Sequence, residues 1–410
     1  MNMTFNTNIR NNYRHTIASC CISYVVQSIV VNFAPLLYLT FNTVYEIPLS
    51  KVTLLITITF ITQLLTDLLS TKLTDKIGCR PCILFAHIMA AIGFISLGTL
   101  PDLLADPFIG LAFACVIYSL GGGLIEVLAS PIIESCPSDN KSGLMSLLHS
   151  FYCWGTVFVI LVSIVFFCFF GTQNWKILTF IWAIIPLFNT VYFILVPIPD
   201  ILSEEKNIKI LSLLKNKTFL LLAAAMLCGG AAEQAVSQWA SAFAESSLGI
   251  SKTLGDLLCP CMFAALMGLS RTLHSKISCR LDLSKYMFIS GLICCASYML
   301  TSLSSYPLAA LAGCALCGFS CGVFWPGVFS LATEKCSYGG TALFALLALA
   351  GDAGCTLGPS IVGFTAELLN ENISAGVLAA ALFPLLFTVI LFFILRKYNK
   401  TTCFSRKRLP

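Results

Sequence analysis

The chain has 410 residues, of which 58% are hydrophobic and only 10% are charged, with a mean hydropathy of +0.89. A soluble protein carries about 25% charged residues, so this composition excludes a water-exposed globular protein and places most of the chain against lipid. The net charge of +5 is small and scattered, which excludes a nucleic-acid-binding protein.

Long apolar runs predict an all-α membrane protein with twelve transmembrane helices. A helix that crosses the hydrocarbon core needs about 20 predominantly apolar residues, and twelve runs come close to or exceed this length. A transmembrane β-barrel is excluded because its strands would show short alternating segments instead. The runs are 15–41, 50–71, 81–100, 107–133, 143–169, 176–197, 218–245, 252–271, 286–304, 307–333, 340–367 and 373–395.

Two short segments, 200 residues apart, indicate that the chain is duplicated. Leu69–Arg80 reads LSTKLTDKIGCR and Leu269–Arg280 reads LSRTLHSKISCR, with seven of twelve positions identical. We expect each to form a short basic loop between two apolar runs. The same register continues to Glu134 and Glu334. A repeated basic segment in so apolar a chain predicts two six-helix pseudo-repeats, an arrangement typical of membrane transporters.

The distribution of Lys and Arg predicts that both the N and C termini are cytoplasmic. In that orientation, 21 of the 24 basic residues fall in inside segments and 3 in outside segments, the bias expected of a multi-pass protein of the cell membrane. The predicted organisation is an N-terminal six-helix bundle (1–197), a cytoplasmic connector (198–217), a C-terminal six-helix bundle (218–396) and a basic cytoplasmic tail (397–410). Within the connector, Asn207–Asn216 is predicted to form a short amphipathic helix.

The cysteines predict neither disulfides nor a metal site. All twenty are spread along the chain, mostly in apolar runs, where cysteine acts as a small packing residue. Cys314, Cys317 and Cys321 share a helix face, and we interpret them in the same way. We expect no metal and no cofactor. No Ser/His/Asp or His/Glu spacing supports an enzyme.

The first basic segment resembles the loop signature of the major facilitator superfamily, G-x-x-x-D-(R/K)-x-G-(R/K)-(R/K). Four positions fit: Asp75, Lys76, Gly78 and Arg80. Two positions depart from it, Thr71 and Cys79. Together with the twelve runs and the duplicated halves, this signature identifies the chain as a member of the superfamily, which implies a transporter with two six-helix halves.

Within that superfamily, the chain resembles the fucose permease branch of sugar–proton symporters. The resemblance lies in Glu126 of span 4 (GGGLIEVLASP) and in the span 7 sequence GGAAEQAVSQWASAF. Fucose permease-like proteins also place a carboxylate in span 1, where this chain has Gln27 and Asn32. In span 11, Gly354 and Gly358 are four residues apart and are expected to allow close helix packing.

Three acids lie deep in the predicted spans. Ionisable groups inside a membrane are costly and usually functional, so Glu126, Glu233 and Asp352 are the candidates to carry a proton or, as the alternative, sodium. No Lys or Arg is expected deep in any span. Such an interior suits a neutral sugar, a polyol or a cation better than a carboxylate or phosphate.

Amides, aromatic side chains and histidine complete the predicted substrate site. We expect this site near the membrane midplane, between the two repeats. The alternative role of each tryptophan is to anchor the helix at the membrane interface, and His87 is expected to be structural. The predicted site residues are Gln27, Asn32, Glu126, His149, Tyr152, Glu233, Gln234, Gln238, Trp239, Trp325 and Asp352.

The charged residues near the cytoplasmic helix ends predict a latch that holds one conformation. Asp75 suits a helix N-terminus, Gly78 permits a tight turn, and Lys76 or Arg80 is expected to pair with Asp75 or Glu134. The alternative is that these charges only enforce topology. The predicted latch residues are Asp67, Asp75, Lys76, Gly78, Arg80, Glu134, Lys276, Arg280 and Glu334.

These observations predict a secondary active transporter that moves a small polar solute, a sugar, inward by proton-coupled alternating access. Its expected partners are the solute, the coupling ion and the lipid bilayer, and it is expected to act as a monomer. The alternatives are a proton-coupled exporter of amphipathic or drug-like compounds and a non-transporting membrane sensor of solutes.

Overall fold

The computed structural model describes residues 9–47, 49–199, 210–248, 252–336, 340–370 and 372–406. Across these ranges the chain is helical and contains no β-strand, which confirms the all-α class for this part of the chain. Its α-helices are α1 (Tyr13–Asn32), α2 (Tyr38–Tyr45), α3 (Leu49–Ile77), α4 (Cys79–Leu103), α5 (Pro107–Ser135), α6 (Lys141–Phe170), α7 (Trp175–Leu195), α8 (Ile210–Lys215), α9 (Lys217–Leu248), α10 (Lys252–Ile277), α11 (Leu283–Leu303), α12 (Pro307–Cys321), α13 (Phe324–Lys335), α14 (Gly340–Leu368), α15 (Ile373–Ala380) and α16 (Leu382–Arg406).

The protein is a multi-pass membrane protein. In the described ranges, ten helical segments are long and apolar enough to cross a membrane. Predicted spans 2 and 8 correspond to α3 and α10, which have 29 and 26 residues. At 1.5 Å per residue these helices are about 40 Å long, enough to cross a hydrocarbon core of about 30 Å. Twelve spans with both termini cytoplasmic therefore stay a prediction.

The two basic segments are mostly helical. Leu69–Ile77 forms the last turns of α3, and Leu269–Ile277 forms the last turns of α10. The expectation of two basic loops is wrong, because Leu and Lys favour the helix and no helix-breaking residue precedes position 78. Gly78, the single residue between α3 and α4, has a φ of +94°, which confirms the expected tight turn.

The helices group into two compact units. Unit 1 comprises Met1–Asp139, Leu147–Ile208 and Gly339–Leu349, and unit 2 comprises Asn140–Ser146, Lys209–Tyr338 and Ala350–Pro410. The start of α6 is thus grouped with unit 2 and the start of α14 with unit 1, at equivalent positions of the internal repeat. The predicted domain boundaries stay a prediction, and half of the predicted connector, 200–209, lies outside the described residues.

In unit 1, α4 and α5 pack with their backbones in direct contact. A Cβ at Gly93 would lie 2.4 Å from the backbone nitrogen of Tyr118, and a Cβ at Gly121 would lie 2.5 Å from the carbonyl oxygen of Ala86. Small residues are the usual means by which membrane helices approach this closely. This contact fixes α5, and with it Glu126, against the rest of the unit.

In unit 2, glycines on α14 create a similar contact with α9. A Cβ at Gly354 would lie 2.0 Å from the carbonyl oxygen of Leu227, and a Cβ at Gly358 would lie 2.3 Å from that of Ala231. The predicted close helix packing at these two glycines is confirmed. It brings α14, which carries Asp352, against α9, which carries Glu233.

Candidate functional site

In unit 1, an amide and a carboxylate meet between α1 and α5. Gln27 Nε2 donates to Glu126 Oε2 over 3.0 Å, and Gln27 is only 3% exposed. Its Oε1 is buried without a hydrogen-bond partner among the described residues. Gly122 lies one turn before Glu126, and a Cβ there would come within 2.5 Å of Gln27 Oε1. Because glycine has no Cβ, this position leaves space for the Gln27 amide.

Tyr24 extends this polar face of α1 by one turn. Its Oη lies 3.1 Å from Ser130 Oγ and 3.4 Å from His149 Nε2, and the tyrosine and histidine rings pack edge to face at 4.8 Å. Tyr24 and Gln27 are three residues apart, so both project from one side of the helix. The sequence analysis predicted His149 as a site residue but missed Tyr24. The spacing of three residues between Tyr24 and Gln27 could have indicated it.

Asn32 and Tyr152 lie further along the same contact between α1 and α6. Asn32 Nδ2 donates to the Ser28 carbonyl oxygen and to Thr156 Oγ1. Thr156 Oγ1 in turn donates to the carbonyl oxygen of Tyr152. The bond between Asn32 and Thr156 joins α1 to α6, so the Asn32 amide takes part in the packing of two helices.

His87 belongs to a separate buried network that joins α1, α4 and α7. Its Nδ1 donates to the Ile83 carbonyl oxygen over 2.8 Å, so its Nε2 accepts, and Asn189 Nδ2 lies 2.9 Å away. Asn189 also bonds Ser19 and Ser23. Each of these side chains is fully buried, as a structural polar network in a membrane protein requires.

In unit 2, Glu233 forms a buried ion pair with an arginine. Arg271 Nη2 lies 3.0 Å from Glu233 Oε2, and the two side chains are 2% and 6% exposed. The expectation that no Lys or Arg lies deep in a span is therefore wrong. Arg271 was assigned to the inside basic segment because it ends an apolar run, but α10 continues past it for six residues and turns its side chain into the bundle.

A break between α12 and α13 explains where Arg271 binds. Predicted span 10 is split into α12 and α13 around Gly322 and Val323. Pro326 has no N–H and cannot donate to the carbonyl oxygen of Gly322, four residues earlier. Arg271 Nε donates to that oxygen over 2.8 Å. The guanidinium thus binds both the freed carbonyl and the Glu233 carboxylate.

Trp325 lies near this break, and Asp352 lies on α14. Trp325 is 6% exposed, and its Nε1 has no hydrogen-bond partner among the described residues. A Cβ at Gly351 would lie 2.4 Å from the Trp325 ring, so the glycine lets the indole pack flat against α14. Asp352 is the next residue and is also 6% exposed.

The span 7 amides occupy a more open face of α9 than Glu233. Gln238 Nε2 donates to Gln234 Oε1 over 3.0 Å, and Gln238 is exposed. Trp239 Nε1 donates to the Pro359 carbonyl oxygen over 3.0 Å, and its ring covers Gly363. The structure therefore separates the buried Glu233 from a more exposed pair of amides, which the sequence had grouped with it.

Two of the predicted latch residues, Arg80 and Glu334, contact residues outside the predicted set. Arg80 donates to the carbonyl oxygens of Phe193 and Val196 at the end of α7, and Asp67 is buried. Glu334 pairs with Lys335. Within the described residues, none of the ion pairs joins two of the predicted latch residues, and the side chain of Asp75 lies outside them. The role of this set stays a prediction.

Comparison of the sequence with protein families identifies one match over most of the chain. The model of the family described as Major Facilitator Superfamily matches residues 16–359. No relative among curated proteins matches the sequence.

Solved structures with the same fold are numerous. A variant of the E. coli fucose:proton symporter FucP matches with a TM-score of 0.79 at 15% identity, over 93% of this chain and 98% of that one. The proton:xylose symporter XylE, bound to 6-bromo-6-deoxy-D-glucose, matches with a TM-score of 0.79 at 11% identity, over 92% and 95%. The human organic anion transporter MFSD10 matches with a TM-score of 0.73 at 14% identity, over 93% and 100%. At these identities the likeness is one of fold.

Proposed function

Because the chain belongs to the major facilitator superfamily, as the sequence predicted, we propose that it is a secondary active transporter that moves a small polar solute of the sugar class across the cell membrane by proton-coupled alternating access. The fold is that of the superfamily's transporters. A transporter of this kind takes a small-molecule substrate and works within the lipid bilayer.

The observation that carries this proposal is the burial of Glu233 within a membrane-spanning helix. The acid lies in the span Lys217–Ala240 and is 5% exposed. Such an acid is rarely retained for stability alone, because its desolvation is costly. When it takes a proton, the charge of the bundle changes, and this change couples proton binding to reorientation.

The polar face of α1 supports a hydroxylated solute. Gln27 contacts Glu126, and Tyr24, one turn away on α1, contacts His149. The amide, hydroxyl and imidazole groups of these side chains are neutral donors and acceptors that suit the hydroxyl groups of a sugar. Two of the similar structures are a fucose:proton symporter and a proton:xylose symporter, which favours the same class of solute.

The test is uptake into proteoliposomes that contain the purified full chain. With the outside acidified by about one pH unit, we expect a panel of sugars and sugar derivatives to include one that accumulates up to about tenfold more than without the gradient, because such a gradient supplies about 1.4 kcal/mol. Glu126→Gln, Glu233→Gln and Asp352→Asn test the three acids. Asp106→Asn is the matched control, because Asp106 is an exposed helix cap and asparagine caps equally well.

Uptake that ignores the gradient and survives all three substitutions would refute proton coupling. Efflux of amphipathic dyes by cells that express the chain, without sugar uptake, would instead support the exporter.

A further inference from the structure

We infer that Gln63 on α3 is a further solute-binding residue, which recognises one hydroxyl group of the transported sugar together with Gln27. In this arrangement Gln63 Nε2 donates to the hydroxyl oxygen, and the hydroxyl group donates to Gln27 Oε1. The inference rests on the proposed function, and it adds the requirement for a solute group that both donates and accepts a hydrogen bond.

Two buried amides of unit 1 place polar atoms around the same small space. Gln63 Nε2 and Gln27 Oε1 have no hydrogen-bond partner within the part of the chain that the structure describes, and the two residues are only 2% and 3% exposed. A Cβ at Gly122 would lie 2.8 Å from Gln63 Nε2 and 2.5 Å from Gln27 Oε1. The two amide atoms are therefore separated by no more than the sum of these distances, about 5.3 Å.

One hydroxyl group can bridge these two atoms. A hydrogen bond to a hydroxyl oxygen spans about 2.8 Å, so a single oxygen reaches two partners that are up to about 5.6 Å apart. A hydroxyl group donates and accepts at once, which is what an amide oxygen on one side and an amide N–H on the other require. A buried donor and a buried acceptor that stay unpaired cost free energy, and a bridging hydroxyl removes both costs.

The contact with Glu126 determines which atom of Gln27 faces this space. Gln27 Nε2 donates to Glu126 Oε2 over 3.0 Å. An ionised carboxylate accepts hydrogen bonds and cannot donate them, so the amide turns its nitrogen to Glu126 and its oxygen towards Gly122. The oxygen of Gln27 is therefore the atom that is offered to the solute.

The close packing of α3 against α5 brings Gln63 to this position. A Cβ at Gly123 would lie 3.2 Å from both the Cα and the carbonyl oxygen of Gln63, so the backbones of the two helices nearly touch there. Glu126, one turn further along α5, is only half-buried, and a solute that contacts it is next to the Gln27 amide. An ionisable group with a few fixed polar atoms beside it is typical of a solute site in a membrane protein.

The experiment measures uptake of matched sugar derivatives, under an inward proton gradient, into proteoliposomes that contain the full chain. The parent sugars are D-glucose, D-xylose and L-fucose, and in each derivative one non-anomeric hydroxyl group is replaced by fluorine or by hydrogen. Fluorine accepts a hydrogen bond and donates none, whereas hydrogen does neither. At one position of a transported sugar we expect the fluoro derivative to enter about tenfold more slowly than the parent and the deoxy derivative about 100-fold more slowly, because each leaves more of the buried amide groups unpaired.

Gln63→Met then assigns the donor, because methionine is about as long as glutamine but has no side-chain N–H. In this variant the fluoro and deoxy derivatives should enter at rates that agree within about twofold, while the parent keeps about a tenfold advantage through Gln27 Oε1. Without solute, the variant should melt in detergent at the same temperature as the wild type or higher, since it lacks an unpaired buried donor. Gln173→Met is the matched control, because Gln173 is exposed between α6 and α7, and it should keep the wild-type selectivity.

A wild-type chain that transports a sugar but discriminates at no single hydroxyl group would overturn the inference and leave the proposed function standing, and this result needs no variant to fold. A selectivity that Gln63→Met leaves unchanged would also overturn it. If that unchanged selectivity comes with a lower melting temperature, the amide pair holds a structural water only. If none of the three sugars is taken up in response to the gradient, both the inference and the proposed sugar-class symport are wrong.

Discussion

Gly122 sets the space around the contact between Gln27 and Glu126. Because a Cβ at this position would lie 2.5 Å from Gln27 Oε1 and 2.8 Å from Gln63 Nε2, even an alanine must push both amides away. We expect Gly122→Ala to reduce transport about tenfold or more, since small displacements of binding groups are costly, with only a modest loss of thermal stability. Transport rate and melting temperature in detergent measure the two effects.

Gly229→Ala is the control for this substitution. A Cβ at Gly229 would meet its nearest neighbour, Phe324 Cβ, at 3.2 Å and no other atom within 3.5 Å, and it contacts no polar group of the proposed site. If Gly122→Ala transports as well as Gly229→Ala, the space at Gly122 is not important for binding.

The ion pair of Glu233 and Arg271 makes a prediction about stability. Removing one partner, as in Arg271→Met, leaves a buried charge uncompensated and should cost about 3–5 kcal/mol, whereas replacing both, as in Glu233→Leu with Arg271→Met, should restore most of that loss. Chemical denaturation in detergent measures both. A double variant as unstable as Arg271→Met would mean that the pair is not coupled in this way.

Individual residues were predictable from the sequence where their chemistry contrasts with the surroundings. Glu126, Glu233 and Asp352 were identified because acids are rare in apolar runs. Arg271 was missed because it ends such a run and lies beside other basic residues, so a charge count assigns it to the membrane surface. Tyr24 was missed because a tyrosine in an apolar run is equally consistent with packing.

At the scale of helices, the break between α12 and α13 depends on Pro326. In Pro326→Ala the new N–H can bond the Gly322 carbonyl oxygen and join α12 to α13, since a proline within a helix costs about 3 kcal/mol or more. Arg271 Nε then has to share the Gly322 carbonyl oxygen with the new N–H. We therefore expect a protein of equal or greater thermal stability whose transport is slower. Uptake rate and melting temperature, measured on one preparation, test this.

Pro131→Ala is the matched control for the helix break. Pro131 lies inside α5, which continues through it without a break, so removing it should not change the position of a charged side chain. Slower transport in both proline variants would point to a general effect of helix flexibility and would contradict a specific role for Gly322.

Hydropathy predicted the positions of the helices, but it did not predict where the loops lie. The apolar runs identified the spans because lipid demands about 20 apolar residues in succession. The basic segments were predicted as loops because their charges must leave the membrane, but a helix also carries Lys and Leu into water without a break. Only Gly78, with its φ of +94°, ends α3, and its partner Ser278 does not reproduce that turn.

At the scale of the whole molecule, the sequence predicted a duplication but could not predict the composition of the compact units. The match between Leu69–Arg80 and Leu269–Arg280 predicts two related halves. Packing, rather than sequence order, decides that the start of α6 belongs to unit 2: Ser146 Oγ donates to the Arg271 carbonyl oxygen, and Asn140 accepts from Ser278 Oγ. A pattern read along the chain cannot predict such contacts between distant segments.

The orientation of the whole chain gives the last prediction. The uneven distribution of Lys and Arg favours both termini in the cytoplasm, because basic residues resist translocation, and this requires an even number of spans.

In E. coli, alkaline phosphatase fused after Pro410 should be inactive and green fluorescent protein fused there should fluoresce, because the phosphatase folds only outside the cytoplasm and the fluorescent protein only within it. Phosphatase fused after Asp102, at the end of α4, should be active, since three spans precede it. An active phosphatase after Pro410 would mean an odd number of spans or an external N terminus, and α3 and α10, the two long helices outside the ten clear spans, would be the first to re-examine.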